Sequence, residues 1–387
     1  MDAASLLKGY NTKKLTVAAL GGHSGLDVAH GAAKYGFRTA VVAQEGRHRT
    51  YAHFARRTTG VAKGKIKPKP RGCIDELLVV PAFEDVLDAG MQERLRAMNT
   101  VFVHNRYFWV YFDDFSRVEN DFHVPIFGSR TLLKLEERNQ PYNQYHLLND
   151  AGIRIPKIFK SSADIDRPVL VKAAEAKRGY ERGFFVASDP GDYERRGAEL
   201  EKAGKIVTNW REAVIEEFIV ASAVNFNFFY SPLSGELELL GTDTRRQTNL
   251  DGFLRMPSWQ QEDVRKHIEL KMIGTGNIAV TVKGSLLEKA FDLGEKFVKA
   301  TQNLPKELDP SGKGIIGPFA LQGAVIAEEG REDIVIFDVS LRIPGSPGIS
   351  ATPYSGYLYG ESMSVGDRIG MELQKAVAEG RLEEVLT

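Results

Sequence analysis

The chain has 387 residues, of which 43% are hydrophobic, and its 51 basic and 51 acidic side chains cancel. That length exceeds a single core and calls for two or three domains, and the neutral balance removes any general pull toward nucleic acid or an anionic membrane. Cys73 is the lone cysteine, which excludes an intrachain disulfide and zinc sites built on cysteine pairs; with no apolar leader and no run of the ~20 apolar residues that span a bilayer, a soluble cytoplasmic protein is expected.

In chain order, Leu15 to Leu20 is a short apolar run that ends at Gly21-Gly22-His23-Ser24-Gly25. Leu26 to Tyr35 then carries helical spacing up to Gly36, and Phe37 to Ala43 is a second apolar run rich in β-branched residues. Strand, glycine-rich turn, helix, strand is the opening of a doubly wound α/β unit. Leu77 to Val80 and Thr100 to Val103 read as further buried strands, and the basic, Pro/Gly-rich stretch Ala62 to Gly72 reads as an exposed loop. A boundary is expected near Pro125 to Arg130, followed by a polar helical stretch over Thr131 to Asp150 and extended chain at Ile153 to Lys157. From Pro168 the runs PVLVKAAEA, GFFVAS, AVIEEFIV, VNFNFFYSP and ELELLGTDT, separated by turn residues, suggest an antiparallel sheet. Ser285 to Thr301 reads as an amphipathic helix. Gly317 to Ala327 and Ile334 to Ile343 read as paired strands, and Met363 to Leu386 as helix.

Four features are candidates for chemistry. The turn Gly21 to Gly25 places glycines and free helix N–H groups where a phosphate would sit, with His23 and Ser24 as added donors; it equally fits a tight turn with Ser24 as helix N-cap. Lys172, at the end of an apolar strand and before the loop carrying Lys177, Arg178 and Arg182, suits ATP phosphates, or belongs to an ordinary basic hairpin. Glu216-Glu217-Phe218-Ile219 is either a hinge that offers hydrogen bonds to adenine or a solvated strand edge. Gln322 and Asp338 lie in apolar strands where polar groups need partners. As oxygen ligands they suit Mg²⁺ shared with nucleotide phosphates, with Arg342, four residues beyond Asp338, on the same strand face to neutralise a transferring phosphoryl group; alternatively Asp338 and Arg342 pair with each other.

The order of these segments resembles the archaeal 5-formaminoimidazole-4-carboxamide ribonucleotide synthetase family. The resemblance runs over nearly the whole chain through GGHSGLDVAHGAAKYGFRTAVV, EGRHRTY, RVENDFHVPIFGSR, AGIRIPKIF, RPVLVKAAEAKRGY, EEFIVASAVNFNFFYSPL, RRQTNLDGFLRMP, GIIGPFALQGAV, FDVSLRIPGSPG and PYSGYLYGESMSVGDRIGMEL. It implies an ATP-grasp fold with an N-terminal Rossmann-like domain over 1–128, one ATP-grasp half over 129–212 and a second, with the metal site, over 213–387. It also implies formylation of 5-aminoimidazole-4-carboxamide ribonucleotide (AICAR) by formate and ATP through formyl phosphate, in purine biosynthesis, by a homo-oligomer (trimer or hexamer). Carried over by motif, His23, Ser24 and Asn249 contact the ribonucleotide; Lys172, Lys177 and Glu216 to Ile219 bind ATP; Gln322 and Asp338 hold Mg²⁺ or Mn²⁺; Arg342 and Lys172 act in catalysis. The chain departs from the family pattern in four places. His104-Asn105-Arg106 stands where the family reads His-Gly-Ser, Asp338 where it has Glu, the loop AKRGYERGFF is less glycine-dense, and Ala62 to Gly72 looks inserted. Arg106 either reaches the ribonucleotide's phosphate, which the retained substrate motifs favour, or fills space near the base and favours another substrate. That second outcome leaves open a paralogous ligase for another carboxylate or amino-ribonucleotide, and beside it stands a non-catalytic nucleotide-binding relative.

Overall fold

The structure is a computed structural model that describes residues 1–22, 24–58, 71–173, 184–206, 209–271, 273–328 and 330–387. His23, most of the basic loop 62–72, and the loop with Lys177, Arg178 and Arg182 lie outside the described residues.

Fourteen described strands form three sheets. The first is wholly parallel: β1 (Thr16–Leu20), β2 (Arg38–Gln44), β3 (Glu76–Val80), β4 (Thr100–Val103) and β5 (Ile126–Phe127), in the order β3-β2-β1-β4-β5. β1 and β4 are buried along their whole length, as expected of strands covered on both faces. The chain direction of the connections reverses between β1 and β4. In such a sheet the carboxyl ends of those two strands open the binding crevice, and the turn after β1 and the triplet after β4 both lie there. Asn105 Nδ2 donates to the Leu20 carbonyl at 3.1 Å and joins the two ends.

The second sheet is small and antiparallel, in the order β6 (Ile158–Phe159), β9 (Val214–Glu217), β7 (Val169–Lys172), β8 (Phe184–Ala187). Its core gathers Val169, Val171, Phe185, Tyr193, Trp210 and Ile215 under the helix Pro190–Lys202, which Asp189 caps by accepting from Asp192 N–H at 2.8 Å. β9 thus runs to Glu217 within this sheet, five residues beyond the division expected at 212.

The third sheet is large and antiparallel, in the order β12 (Gly274–Ala279), β11 (Glu236–Gln247), β10 (Ser222–Ser231), β13 (Gly317–Glu328), β14 (Arg331–Ser340). Val224, Phe226, Phe228, Phe319 and Leu321 on one face pack with Phe297 of the amphipathic helix Gly284–Gln302. On the other face, Phe229 and Leu240 join a core shared with the first sheet and with the helix Val365–Glu379. That helix returns the chain to its start. A Cβ on Gly31 would stand 1.9 Å from the Gly366 carbonyl oxygen, so the helices Gly25–Lys34 and Val365–Glu379 touch backbone to backbone. The terminal Thr387 exchanges both backbone hydrogen bonds with Ile126, at 2.9 Å each, and so extends the first sheet.

Two expectations need correction. Thr131 to Asp150 is not one helix: a 3₁₀ turn over Leu132–Glu136 and a helix over Gln144–Asp150 flank an irregular strap. Pro141 lacks an N–H and disfavours helix at the residue before it, and Asn143 caps the restart by accepting from Tyr145 N–H at 3.0 Å. The C-terminal helix also stops at Gly380, which takes the left-handed conformation (φ 68°), and a short separate helix, Leu382–Val385, follows. No helix among the described residues is long and apolar enough to cross a membrane.

Candidate active site between the sheets

Lys172, the last residue of β7, is buried and ion-paired with Glu216 of β9 at 2.5 Å. Its Nζ also donates to Tyr145 Oη and to the Phe337 carbonyl, each at 3.3 Å. Phe337 precedes Asp338 in β14, so Lys172 bridges the small sheet to the large one. Burial pulls the Lys172 amine below its ordinary range, Arg138 pushes the same way, and Glu216 and Asp338 oppose.

The strap 137–143 and its flanks stitch the cluster together. Arg138 pairs with Asp338 at 3.1 Å and donates to Tyr145 Oη at 3.1 Å, and Tyr145 in turn donates to Glu216 at 2.7 Å. Gln144 accepts from Val339 N–H at 2.9 Å and donates to the Glu136 carbonyl. Buried Glu136 accepts from Leu341 N–H at 2.7 Å and from Arg106 at 2.8 Å, and reaches Arg342 at 3.4 Å. Sequence reasoning missed Glu136, Arg138, Gln144 and Tyr145. The available signal was the switch from Leu132, Leu133 and Leu135 to charged and amide side chains just before a proline.

Gln322 and Asp338 face each other as register partners on β13 and β14. Gln322 Nε2 donates to Ser340 Oγ at 3.0 Å, which leaves its Oε1 turned outward, where Arg245 approaches at 3.4 Å. Burial raises the Asp338 carboxyl, but Arg138, Lys172, Arg245 and Arg106 outweigh it, and the group titrates below the usual carboxylate range. An amide oxygen beside a carboxylate is a hard-oxygen donor pair that fits Mg²⁺, with its other positions left to phosphate and water. No group of three or more His, Cys, Asp or Glu side chains that could hold a metal is found among the described residues.

Arg342 is not on a strand face with Asp338. β14 ends at Ser340, and Arg342 lies beyond it, near Glu136 and donating to the Ile343 carbonyl at 3.2 Å, so the Asp338–Arg342 pair is not formed. Arg106 is not free either: it is ion-paired with Glu136 at 2.8 Å and Glu137 at 2.5 Å. A ribonucleotide phosphate would have to compete with these two internal carboxylates for the Arg106 guanidinium. Arg106→Ser is accordingly expected to destabilise the fold by about 1–3 kcal/mol, since charged partners are left unpaired. The Michaelis constant for the ribonucleotide is expected to stay near that of the parent; thermal melting and steady-state kinetics together check this.

Ser24 makes no side-chain cap bond. Its buried hydroxyl donates to the Pro344 carbonyl at 3.3 Å and ties the β1 turn to the segment after β14. Asn249 is exposed: it donates to the Glu269 carbonyl at 2.7 Å and accepts from Lys271 N–H at 2.8 Å. In the stretch expected at adenine, Glu217 N–H and Phe218 N–H already bond the carbonyls of Lys157 and Pro168, and among the described residues no such bond ties Ile219.

His104, after β4, is buried with both ring nitrogens unpartnered among the described residues. Burial first, then Arg342 and Arg130, hold its pKa down at about 3. A folded-state pKa below the unfolded value means that His104 contributes stability fully above the unfolded pKa, and that this is lost as pH falls toward about 3. Between pH 6.5 and 5 the expected loss is about 2 kcal/mol. Urea unfolding at pH 7.5 and pH 5 should show it, and His104→Gln should lessen the drop.

Two family profiles match the chain: "Protein of unknown function (DUF1246)" over residues 17–159 and "Domain of unknown function (DUF1297)" over residues 192–387. A protein of Methanopyrus kandleri named 5-formaminoimidazole-4-carboxamide-1-(beta)-D-ribofuranosyl 5'-monophosphate synthetase is 35% identical over 387 residues, covering 100% of this chain and 99% of that one. One of the same name from Methanothermobacter thermautotrophicus is 34% identical over 389 residues, covering 100% and 98%. The crystal structure of the IMP biosynthesis protein PurP from Thermococcus kodakaraensis superposes with a TM-score of 0.66 at 26% identity, over 96% of this chain and 100% of that one. The ADP complex of the N5-carboxyaminoimidazole ribonucleotide synthetase purK matches at TM-score 0.57 and 13% identity, over 91% and 78%, a likeness of fold alone. The fold is ATP-grasp.

Proposed function

The chain belongs to the 5-formaminoimidazole-4-carboxamide-1-(beta)-D-ribofuranosyl 5'-monophosphate synthetase family, and on that premise we propose that it joins formate to the amine of AICAR with ATP as the phosphoryl donor. The observation that carries this reading is the convergence of Lys172 from the small sheet on Phe337-Asp338 of the large one. Phosphates held there meet Lys172, Arg138 and Arg245 on the protein side, and the first sheet's crevice with Ser24 and His104 opens beside them.

A formate oxygen attacks the γ-phosphorus and ADP leaves, giving formyl phosphate. The amine then attacks the formyl carbon, phosphate leaves, and the amine's proton is lost. Such a sequence needs positioning and electrostatics rather than a covalent enzyme intermediate, and the acyl phosphate must be kept from water. Lys172, with the Arg138 guanidinium near it, balances negative charge on the transferring phosphoryl group. Glu136 keeps Arg342 beside the same site. Gln322 and Asp338 would hold Mg²⁺ or Mn²⁺, which would neutralise phosphate charge. Assembly as a trimer or hexamer belongs to the same proposal.

Phosphate release dependent on formate, AICAR and ATP together, with the formylated ribonucleotide as product, is the expected result. One observation favours a second reading: Arg106 occupies the place of a small hydroxyl in the family pattern and is tied to Glu136 and Glu137. Turnover with a different carboxylate or amino-ribonucleotide, and none with formate and AICAR, would establish it.

A further inference from the structure

One transverse row crosses four strands of the large sheet. Asp338 pairs in register with Gln322, Gln322 with Asn225, and Asn225 with Asp243. Partners in register carry their side chains on the same face, so the row continues the candidate metal pair across β10 to β11. On that face Phe229 and Leu240 are buried against the first sheet's core, whereas Asp338, Gln322 and Asn225 are only half-buried. The row therefore lies where the face emerges from that core and opens toward the site.

Asp243 is 1% exposed and is the hub of the row's far end. Asn227 Nδ2 donates to its Oδ1 at 2.7 Å, Asn225 Nδ2 to its Oδ2 at 3.0 Å, and Asn277 Nδ2 to the same Oδ2. A carboxylate only accepts, so it dictates which end of each carboxamide faces it. For Asn225 the consequence is directional. β10 lies between β11 and β13, and with Nδ2 turned to Asp243 on β11, Oδ1 is turned away from β11, toward the Gln322 side. One N–H of the Gln322 amide is engaged by Ser340, and among the described residues no hydrogen bond from the other reaches the Asn225 oxygen.

The geometry points to Asn225 as a binding residue for the amino group of the acceptor substrate, with Asp243 as the positioning residue that keeps the Asn225 oxygen facing it. This rests on the formylation reading above. An amide oxygen there takes either a cation or a hydrogen-bond donor, and in the reading above the cation falls to Gln322 and Asp338, which leaves the Asn225 oxygen for a donor. Formate and nucleotide phosphates carry acceptors, and the stretch expected at adenine is in the other sheet. The aminoimidazole carboxamide offers neutral N–H groups, on the reacting amine and on its carboxamide. Accepting from one of them orients the amine lone pair toward the acyl carbon.

The test uses the full chain. Asn225→Leu keeps the side chain's size and removes the acceptor. It should weaken ribonucleotide binding, read by calorimetric titration, by about tenfold, one hydrogen bond's worth, with ATP binding unchanged and a somewhat lower melting temperature, because buried Asp243 loses one of its three amide donors. Asp243→Ala should show the same selective loss. The double variant should then lose no more than either single one, because both act through one contact. If Asp243→Ala does not fold, Asn225→Leu alone decides. Unchanged ribonucleotide binding in Asn225→Leu, or equal losses for ATP and ribonucleotide, would overturn the assignment. Parent protein without formylation would instead sink the proposed reaction, and the two failures are separate because one is read as binding and the other as product.

Discussion

Lys172→Ala is expected to weaken ATP binding by about 30- to 100-fold, the ~2–3 kcal/mol of a charge-assisted contact, while ribonucleotide binding stays within error of the parent. The asymmetry follows from where the amine is. It stands 2.5 Å from Glu216 and 3.3 Å from the Phe337 carbonyl, between the two antiparallel sheets, whereas the crevice assigned to the ribonucleotide opens from the parallel one. The same substitution leaves Glu216 buried beside Tyr145 without its cation, and breaking one side of a buried pair costs about 3–5 kcal/mol. A drop in melting temperature is therefore expected and does not by itself speak for ATP. Lys172→Ala with Glu216→Gln separates the two effects: it removes the orphaned charge and should recover stability while ATP binding stays weak. Recovery of both, measured by calorimetry and thermal melting, would assign Lys172 to structure alone, as would equal losses for both ligands.

Asp338→Asn is expected to raise the Mg²⁺ requirement and cut turnover by about 10- to 100-fold, the range for a metal site deprived of one supporting group. An amide oxygen still coordinates but carries no charge, which weakens a hard-cation site. In the parent the carboxylate is set among Arg138, Lys172, Arg245 and Arg106, which hold its pKa below the ordinary carboxylate range against the effect of burial. The sign of the pH dependence follows. Its contribution is complete above the ordinary carboxylate pKa and is lost as pH falls below it, so at neutral pH the group is ready for metal without a proton to release. Mn²⁺ titration followed by electron paramagnetic resonance, in the presence of nucleotide, reads the affinity independently of turnover. A variant that keeps parental metal affinity but melts far lower would make Asp338 a structural partner of Arg138.

How much of this was legible beforehand differs from residue to residue. β1, β2 and β4, the paired strands β13 and β14, and the helix Gly284–Gln302 follow from apolar runs and helical spacing, which are local properties of the chain. The place of Lys172 at the end of a strand and the facing of Gln322 and Asp338 across a hairpin are equally local. Resemblance to a family supplied the order of domains and the chemistry, which spacing alone left open between phosphate binding and plain turns. Arg342 was misplaced because a same-face argument holds only while the strand lasts, and β14 stops two residues earlier.

What only the tertiary structure decided are the pairings between residues far apart in the chain. Arg138 meets Asp338 across 200 positions, Glu136 meets Leu341 across 205, and Ser24 meets Pro344 across 320. Around Thr131 to Asp150 the local pattern offers only the switch from Leu132, Leu133 and Leu135 to charged and amide side chains before Pro141, which does not say which sheets the segment ties together. Its polar residues read as a solvated helix face until those sheets close over them, and then the unmet hydrogen-bonding capacity of Glu136, Arg138, Gln144 and Tyr145 selects partners. Asn249 shows the same dependence: its motif is read locally, and the fold pairs its carboxamide with the backbone at Glu269 and Lys271. Periodicity tells a residue which way to face; which residue waits opposite depends on how three sheets stack, and that is settled by the burial of surfaces contributed from the whole length of the chain.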